Sequence, residues 1–238
     1  MIFRAVPAAF VVLVGAAFSC VAADPAVKIS PASTATAAGM IDMRSLVPDF
    51  SVDMRYAGSD NFVGTPVDGY EAPRCFLLRP VAEALQRVEL ALRKQHMRLR
   101  VFDCYRPVRA VRHFVRWASD LEDQRTKSAH YPALDKRVLL GDYIASTSGH
   151  SRGATTDLTL MECERQQCAP LDMGTDFDFF DARAHTDAPD VTPVQHENRL
   201  RLRDAMEREG FQNYTHEWWH YTFRPEPSPE VAFDFVVK

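Results

Sequence analysis

The chain has 238 residues, of which 46% are hydrophobic and 25% charged, and its formal net charge is -4. This length is enough for one hydrophobic core and is near the upper end for a single domain. Acidic and basic residues are interspersed along the chain, so the composition argues against a nucleic-acid partner.

The N-terminal residues 1–23 have the composition of a secretory signal peptide. Arg4 supplies a positive charge before the apolar run AVPAAFVVLVGAAF, which is too short to span a bilayer comfortably, and small residues lead up to Ala23. We predict cleavage after Ala23 and a periplasmic mature protein without stable membrane association. An uncleaved anchor and a lipoprotein modified at Cys20 are the alternatives, although the residues before Cys20 fit a lipobox poorly.

Residues 24–39 are predicted to form a flexible linker, because the stretch SPASTATAAG is small, polar and low in complexity. Residues 40–238 contain no second linker and no internal repeat, so they are predicted to form one domain.

Four cysteines remain after removal of the signal, and an even number in an oxidising compartment favours two disulfides. Cys163 and Cys168 enclose only ERQQ, which favours a local bridge, and Cys75 would then pair with Cys104. Four reduced thiols are the alternative. A zinc knuckle is disfavoured because neither pair has the C-x2-C spacing.

The predicted elements mix helices and strands without a regular βαβ rhythm, which favours an α+β fold. Apolar periodicity and end signals predict helices over 79–96, 108–122 and 196–209, the last one capped by Gly210. Alternating or β-branched stretches predict extended structure over 52–56, 97–107, 142–150, 155–161, 211–223 and 232–238.

The stretch HEWWH, residues 216–220, matches the H-E-x-x-H pattern in which one helix offers two histidines to zinc. Its surroundings are poor in helix formers, and only acidic residues near a proline-rich tail follow it. We therefore predict that His216 is an ordinary polar residue on a strand, and that the pattern is not a zincin site.

A different set of ligands is offered by SGHSRGATTDLTL, where Gly153 separates His150 from Asp157 and allows the two side chains to converge. With His220 they would supply two imidazoles and one carboxylate to zinc, which leaves a fourth position open for water. Glu217 would then act as the general base. From spacing alone, an ordinary polar histidine and a turn-capping aspartate remain open as alternatives.

The chain resembles the D-alanyl-D-alanine dipeptidase family, the group related to the dipeptidase of vancomycin resistance. Its pattern S-x-H-x-x-G-x-A-x-D is matched at Ser148, His150, Gly153 and Asp157, with Thr155 in place of the usual Ala, and its E-W-W-H element at 217–220. The stretches DNFVGTPVDGYE, DCYRPVRA and MGTDFDFFD also match. The resemblance covers roughly residues 40–238, nearly the whole predicted mature chain.

The resemblance implies a single-domain zinc peptidase fold, shared with D,D-carboxypeptidases and the Hedgehog signalling domain, in which helices flank a small central antiparallel sheet. It implies one Zn2+ per chain, held by His150, Asp157 and His220. It further implies Glu217 as catalytic base and acid, and Arg106 as a stabiliser of the transition state. Without the resemblance, Arg106 would be interpreted as a surface or salt-bridged arginine.

The implied reaction is the hydrolysis of the small-molecule dipeptide D-Ala-D-Ala, with residues 40–238 as the catalytic domain. Tyr56, Ser148 and Asp178 lie in matching stretches and are candidates for substrate contact, although a structural role explains each of them equally well. The alternative functions are a peptidoglycan D,D- or L,D-carboxypeptidase and a zinc-bearing binding domain without catalysis.

Overall fold

The structure, a computed structural model, describes residues 27–165 and 167–238, so the predicted signal peptide lies outside the described residues. The helices of this part of the chain are α1 (Met43–Leu46), α2 (Arg79–Arg93), α3 (Val108–Ser119), α4 (Lys127–His130), α5 (Leu139–Asp142) and α6 (Pro193–Glu207). The strands are β1 (Lys28–Ile29), β2 (Met40–Asp42), β3 (Ser51–Val52), β4 (Phe76–Leu78), β5 (Met97–Asp103), β6 (Thr155–Glu164), β7 (Gln167–Pro170), β8 (Phe211–Asn213), β9 (His220–Phe223) and β10 (Val231–Ala232).

The central sheet has six strands, with the order β3-β5-β6-β9-β8 and with β7 paired to β6. All of its pairs are antiparallel except β3 with β5. Helices α2 and α6 contact the sheet, and the predicted α+β class is therefore confirmed. None of the helices in the described part of the chain has both the length and the apolar character needed to cross a membrane.

Helices α2 and α3 form because each buries an apolar face, and helices α2 and α6 have clear start signals. In α2, Pro80 lies in the first turn, and Val81, Leu85 and Val88 are buried against the core. Helix α6 begins at Pro193, three residues earlier than predicted, because Thr192 and Gln195 form a reciprocal capping box.

Two predicted strands are wrong in detail. Residues 211–223 form two strands, β8 and β9, which pair from Phe211–Phe223 to Asn213–Tyr221, so His216 lies in the connection and not on a strand. Residues 142–150 are not extended. They follow Gly141, which has a φ of +98°, and end in a 3-10 turn over Gly149–Arg152.

The predicted extended segments near the two ends of the domain are shorter than expected. The segment at 52–56 contributes only its first residue to β3 before a 3-10 turn at Arg55–Ala57. The C-terminal segment pairs over Val231–Ala232, and beyond it Phe233, Phe235 and Val237 are buried by side-chain packing.

Part of the predicted linker contacts the domain. Lys28 and Ile29 form β1, which pairs in parallel with β10, and Ala38 is buried. These contacts attach residues 28–38 to the domain, while the boundaries at residues 23 and 39 stay predictions.

Both predicted disulfides are present in the structure. Cys75 is bonded to Cys104, and Cys163 is bonded to Cys168 across the β6–β7 hairpin. The alternative of four reduced thiols is therefore wrong for this structure.

The register of the sheet aligns polar residues at one end of three neighbouring strands. Asp157 on β6 lies opposite Asp103 on β5 and opposite His220 on β9. His150 reaches the same end from the 3-10 turn that precedes β6, because Gly153 takes a φ of +72° and turns the chain into the strand.

We expect Gly153→Ala to lower the free energy of unfolding by about 2–5 kcal/mol, from a left-handed backbone (~1–2) and from overpacking (~1–3). A Cβ at residue 153 would lie 2.4 Å from Cε of Met40, a buried side chain. Gly39→Ala is the matched control, since Gly39 has a φ of +70° and nothing within 4 Å. Urea unfolding of the metal-free proteins measures both losses. Equal losses would show that Met40 moves aside freely.

Candidate active site

The side chains of His150, Asp157 and His220 converge on one point. One ligand atom from each of them lies within 4.8 Å of the other two. Nε2 of His150 is 3.3 Å from Oδ2 of Asp157, and Nδ1 of His220 is 3.0 Å from Oδ1 of the same carboxylate. The structure therefore brings together the three predicted metal ligands, although residues 150 and 220 are 70 apart in the sequence.

The tautomer of His150 is set by a backbone carbonyl. Its Nδ1 lies 2.7 Å from the oxygen of Cys104, which only accepts hydrogen bonds, so Nδ1 carries the proton. Nε2 faces Asp157 and His220, and in the neutral ring it carries the lone pair that a metal ion would bind. A carbonyl partner of this kind is the usual means of orienting a metal-binding imidazole.

The donor set fits a zinc ion. Oδ1 of Asp157 is buried and has no hydrogen-bond partner of acceptable geometry, despite the nearby nitrogen of His220. A buried unsatisfied carboxylate oxygen is costly, and a shared cation removes that cost. Two imidazoles and one carboxylate are a catalytic zinc set that leaves one position open for water or substrate.

The electrostatics of the metal-free site follow from the same contacts. Burial alone would raise the pKa of Asp157, but the imidazoles of His150 and His220 outweigh it and hold this pKa well below its usual range. Burial alone would lower the pKa of His220, but the close contact with the charged Asp157 carboxylate raises the pKa above the ordinary value. The carboxylate is therefore ionised and ready to bind a cation at neutral pH.

Glu217 lies beside the ligand cluster, in the connection between β8 and β9. Its Oε2 is 3.4 Å from Nδ1 of His220, and its backbone carbonyl accepts a hydrogen bond from Nδ2 of Asn213. Burial raises the pKa of Glu217 to about 7, and the charge of Asp157 adds to this effect. A carboxyl group with a pKa near the working pH is suited to taking up and returning a proton.

Arg106 lies on the other side of Asp157. Its Nε donates to Oδ2 of Asp103 at 2.8 Å, and Nη2 is 3.4 Å from Oδ2 of Asp157. Its guanidinium lies 5.2 Å from the ring centre of Tyr56 and 5.1 Å from that of Phe114. Arg106 is thus both salt-bridged and part of the site. Its side chain is only 14% exposed, so its charge acts in a largely desolvated place.

A cavity of about 250 Å³ opens onto these groups, which is less than the roughly 300–1,000 Å³ of sites for drug-sized ligands. Arg106, Asp157, Glu217 and His220 line it together with the three candidates for substrate contact, Tyr56, Ser148 and Asp178, and with aromatic and small side chains from the segment 141–149. The size and the mixture of polar and aromatic walls suit a small polar ligand.

Two of the substrate candidates form a pair at one wall of the cavity. The hydroxyl of Tyr56 donates to Oδ2 of Asp178 at 2.9 Å. Burial, together with the charge of Asp157, raises the pKa of Asp178 well above its ordinary value. A cationic group bound in the cavity would favour the ionised form of this carboxyl group.

His216 lies outside the ligand cluster. It is exposed, its ring stacks on that of His185 at 4.6 Å between centroids, and its Nδ1 lies 3.3 Å from the hydroxyl of Tyr214. The prediction that His216 does not share the metal site of His220 agrees with this placement, although the predicted strand was wrong.

Asp103 was not among the predicted site residues, yet it organises this end of the sheet. It is fully buried and accepts hydrogen bonds from the hydroxyl of Tyr70 (2.6 Å), the amide of Cys104 (2.9 Å) and Arg106. An acidic residue that ends an apolar strand directly before CYR was the available signal, since a buried carboxylate needs partners.

We expect His220→Ala to lose tight zinc binding, because it removes one of three ligands. His216→Ala is the matched control and should retain one zinc per chain. Zinc content after dialysis against a weak chelator, measured by mass spectrometry, tests both variants. Loss of zinc from His216→Ala would contradict the ligand set and would restore the zincin interpretation.

In the metal-free protein, Glu217 should be mostly protonated below pH 7 and mostly ionised above it. A bound dication favours the carboxylate, so zinc should lower this pKa by at least about one unit. A pH titration of the side-chain carboxyl 13C resonances measures it with and without zinc, and Glu217→Gln assigns the signal. An unchanged pKa would mean that the carboxyl group does not face the ion.

Comparison with known proteins agrees with this site. Residues 36–238 match the Peptidase M15 family, described as D-ala-D-ala dipeptidase. The D-alanyl-D-alanine dipeptidase of Enterococcus faecium is 43% identical over 187 residues, which cover 78% of this chain and 92% of that protein. The enzyme of the same name from Streptomyces coelicolor is 42% identical over 193 residues, 81% of this chain and 95% of that protein.

A crystal structure of the vancomycin resistance D,D-pentapeptidase VanY with Zn(II) aligns with 63% of this chain and 73% of that one, with a TM-score of 0.37 and 16% identity. The family match extends over nearly all described residues and includes every residue of the site. Zinc is the metal that the family and the donor set together indicate. The chain is therefore a metallopeptidase and belongs to the Peptidase M15 family of D-ala-D-ala dipeptidases.

Proposed function

We propose that this protein hydrolyses the dipeptide D-Ala-D-Ala to two molecules of D-alanine. The observation that carries the proposal is the meeting of three ligand atoms within 4.8 Å, beside Glu217 and Arg106, in one small cavity. The relatives that are 42–43% identical carry the name of this activity. The cavity volume also favours a dipeptide over a long peptide.

In this proposal His150, Asp157 and His220 hold the zinc ion. When bound, zinc supplies a Lewis acid for the scissile carbonyl and lowers the pKa of the attacking water. Glu217 takes the proton from that water and later returns it to the leaving amine. The 3.4 Å distance from its Oε2 to Nδ1 of His220 supports this role, because the group must lie beside the metal ligands.

Arg106 stabilises the oxyanion that develops on the carbonyl. Its guanidinium is held by Asp103 and by two aromatic faces, so its charge needs little reorganisation during the reaction. We propose that the substrate ammonium pairs with Asp178, which also lines the cavity. This would leave little room for residues preceding the dipeptide, which distinguishes a dipeptidase from a carboxypeptidase.

We also propose that residues 1–23 direct the chain to the periplasm, where it recovers D-alanine from cell-wall turnover. The basis is the charge, apolar run and small residues before Ala23. The mass of the mature N-terminus tests it: a protein recovered from the cytosol with residues 1–23 intact would refute this localisation.

The purified protein should release D-alanine from D-Ala-D-Ala but not from a stem pentapeptide that ends in D-Ala-D-Ala. A chelator should abolish the activity, and added zinc should restore it. The Glu217→Gln variant tests the general base: it should retain zinc, and its kcat should fall by about 10²–10⁴-fold. Chromatography of the released D-alanine measures the activity on both substrates, with and without chelator, and of the Glu217→Gln variant. Comparable kcat/KM on the pentapeptide would indicate a carboxypeptidase, and a zinc-loaded protein inert on both substrates would indicate a binding domain.

Arg106→Ala should lower kcat by about 10²–10³-fold with a small change in KM, because the guanidinium acts mainly in the transition state. Arg109→Ala is the control: Arg109 is the next arginine in the chain and pairs with Asp234 outside the cavity lining. It should retain near-normal kcat in steady-state assays. A change in KM alone for Arg106→Ala would contradict the assigned role.

A further inference from the structure

The disulfide between Cys75 and Cys104 lies directly behind the ligand cluster. Both cysteines are buried, with 0% and 1% of their surface exposed. Cys104 follows the last residue of β5 and precedes Arg106 by two positions, while Cys75 directly precedes β4. The bridge therefore joins a neighbouring strand to the short segment that carries Arg106.

The backbone carbonyl and the backbone amide of Cys104 both contact side chains of the site. Its carbonyl oxygen accepts the hydrogen bond from Nδ1 of His150, which directs Nε2 of that ring toward Asp157 and His220. Its amide donates to Oδ1 of Asp103, whose other oxygen holds Nε of Arg106. The position of this one residue thus affects both a metal ligand and the oxyanion partner.

The β5–β6 pairing does not extend into this segment. The β5–β6 register shifts between Val101 and Asp103, and the β5–β6 ladder ends at the Asp103–Asp157 pair. Beyond that end, the backbone amide of Tyr105 donates to the carbonyl of Phe76 at 3.0 Å, and that of Arg106 donates to the carbonyl of His150 at 3.3 Å. The disulfide is the covalent link among these contacts, and it joins the segment to the residue that precedes β4.

We propose that Cys75 and Cys104 are positioning residues of the metal site: their disulfide holds the Cys104 carbonyl where it orients His150, and it thereby tightens metal binding. The inference rests on the proposed zinc site but not on the identity of the substrate. It goes beyond a stabilising role for the bridge, because it predicts a change in the metal site of a protein that is still folded.

The second disulfide provides an internal control. Cys163 and Cys168 face each other on β6 and β7 and are partly exposed. Cys163 is six residues from Asp157 along β6, about 20 Å at ~3.4 Å per residue. Removal of this bridge should leave the ligand cluster undisturbed.

The experiment compares the native protein with Cys75→Ala/Cys104→Ala, the bulkier Cys75→Val/Cys104→Ala, and the control Cys163→Ala/Cys168→Ala. Circular dichroism identifies a temperature at which each protein is folded. Each is then loaded with Co2+ for its visible spectrum and with Zn2+ for the rate of transfer to a chelator. Loss of a partner that orients a metal ligand typically costs about 10–100-fold in metal affinity. We expect the Cys75/Cys104 variants to release zinc about tenfold faster and to show an altered cobalt spectrum.

The control should match the native protein in both readouts. At saturating zinc, the Cys75/Cys104 variants should also show a lower kcat with little change in KM, since the segment carries Arg106. A folded Cys75/Cys104 variant with the native release rate and spectrum would overturn the proposal. Failure of both variants to fold would also overturn it, because the bridge would then be a folding element.

A native protein that binds cobalt and zinc but does not cleave D-Ala-D-Ala would refute the proposed function while leaving this test intact. A native protein that binds neither metal would refute both.

Discussion

The site depends on the buried carboxylate of Asp157, whose Oδ1 has no hydrogen-bond partner and which lies beside the ring nitrogens of His150 and His220. The carboxylate is buried on the middle strand of three, opposite Asp103 on one side and His220 on the other. A shift of one residue in either strand pair would turn the side chain to the opposite face of the sheet. The register of β5, β6 and β9 therefore determines whether a metal site exists at all.

The charged groups at this end of the sheet are buried and serve as partners for one another. Asp103 needs partners because it is fully buried, and it obtains them from Tyr70, Cys104 and Arg106. Arg106 in turn faces Asp157, and the same burial that makes these contacts costly raises the pKa of Glu217 to about 7. The functional groups are thus strained electrostatically without a cation, and the hydrophobic core and the two disulfides stabilise the fold that holds them.

The cavity adds selectivity to this chemistry. Its lining includes Glu217 and Arg106 together with the hydrogen-bonded pair of Tyr56 and Asp178. A cavity of about 250 Å³ has room for only a small ligand. This physical limit agrees with membership of a family described as dipeptidases.

The sequence by itself determined the helices α2, α3 and α6, the α+β class and the family. Local periodicity and capping determine the first two, and short motifs determine the family. The same motifs, through the family resemblance, predicted the site residues His150, Asp157, His220, Glu217 and Arg106, whose side chains the structure brings together. Only the tertiary structure decided the hairpin that splits 211–223, the folded segment before His150 and the role of Asp103. Each of these depends on partners distant in the chain: Asn213 is paired with Tyr221 across the β8–β9 hairpin, and Asp103 is held by Tyr70. Strand pairing and the burial of charge arise only when distant segments meet, so a local pattern can mark a residue such as Asp103 but cannot name its partners.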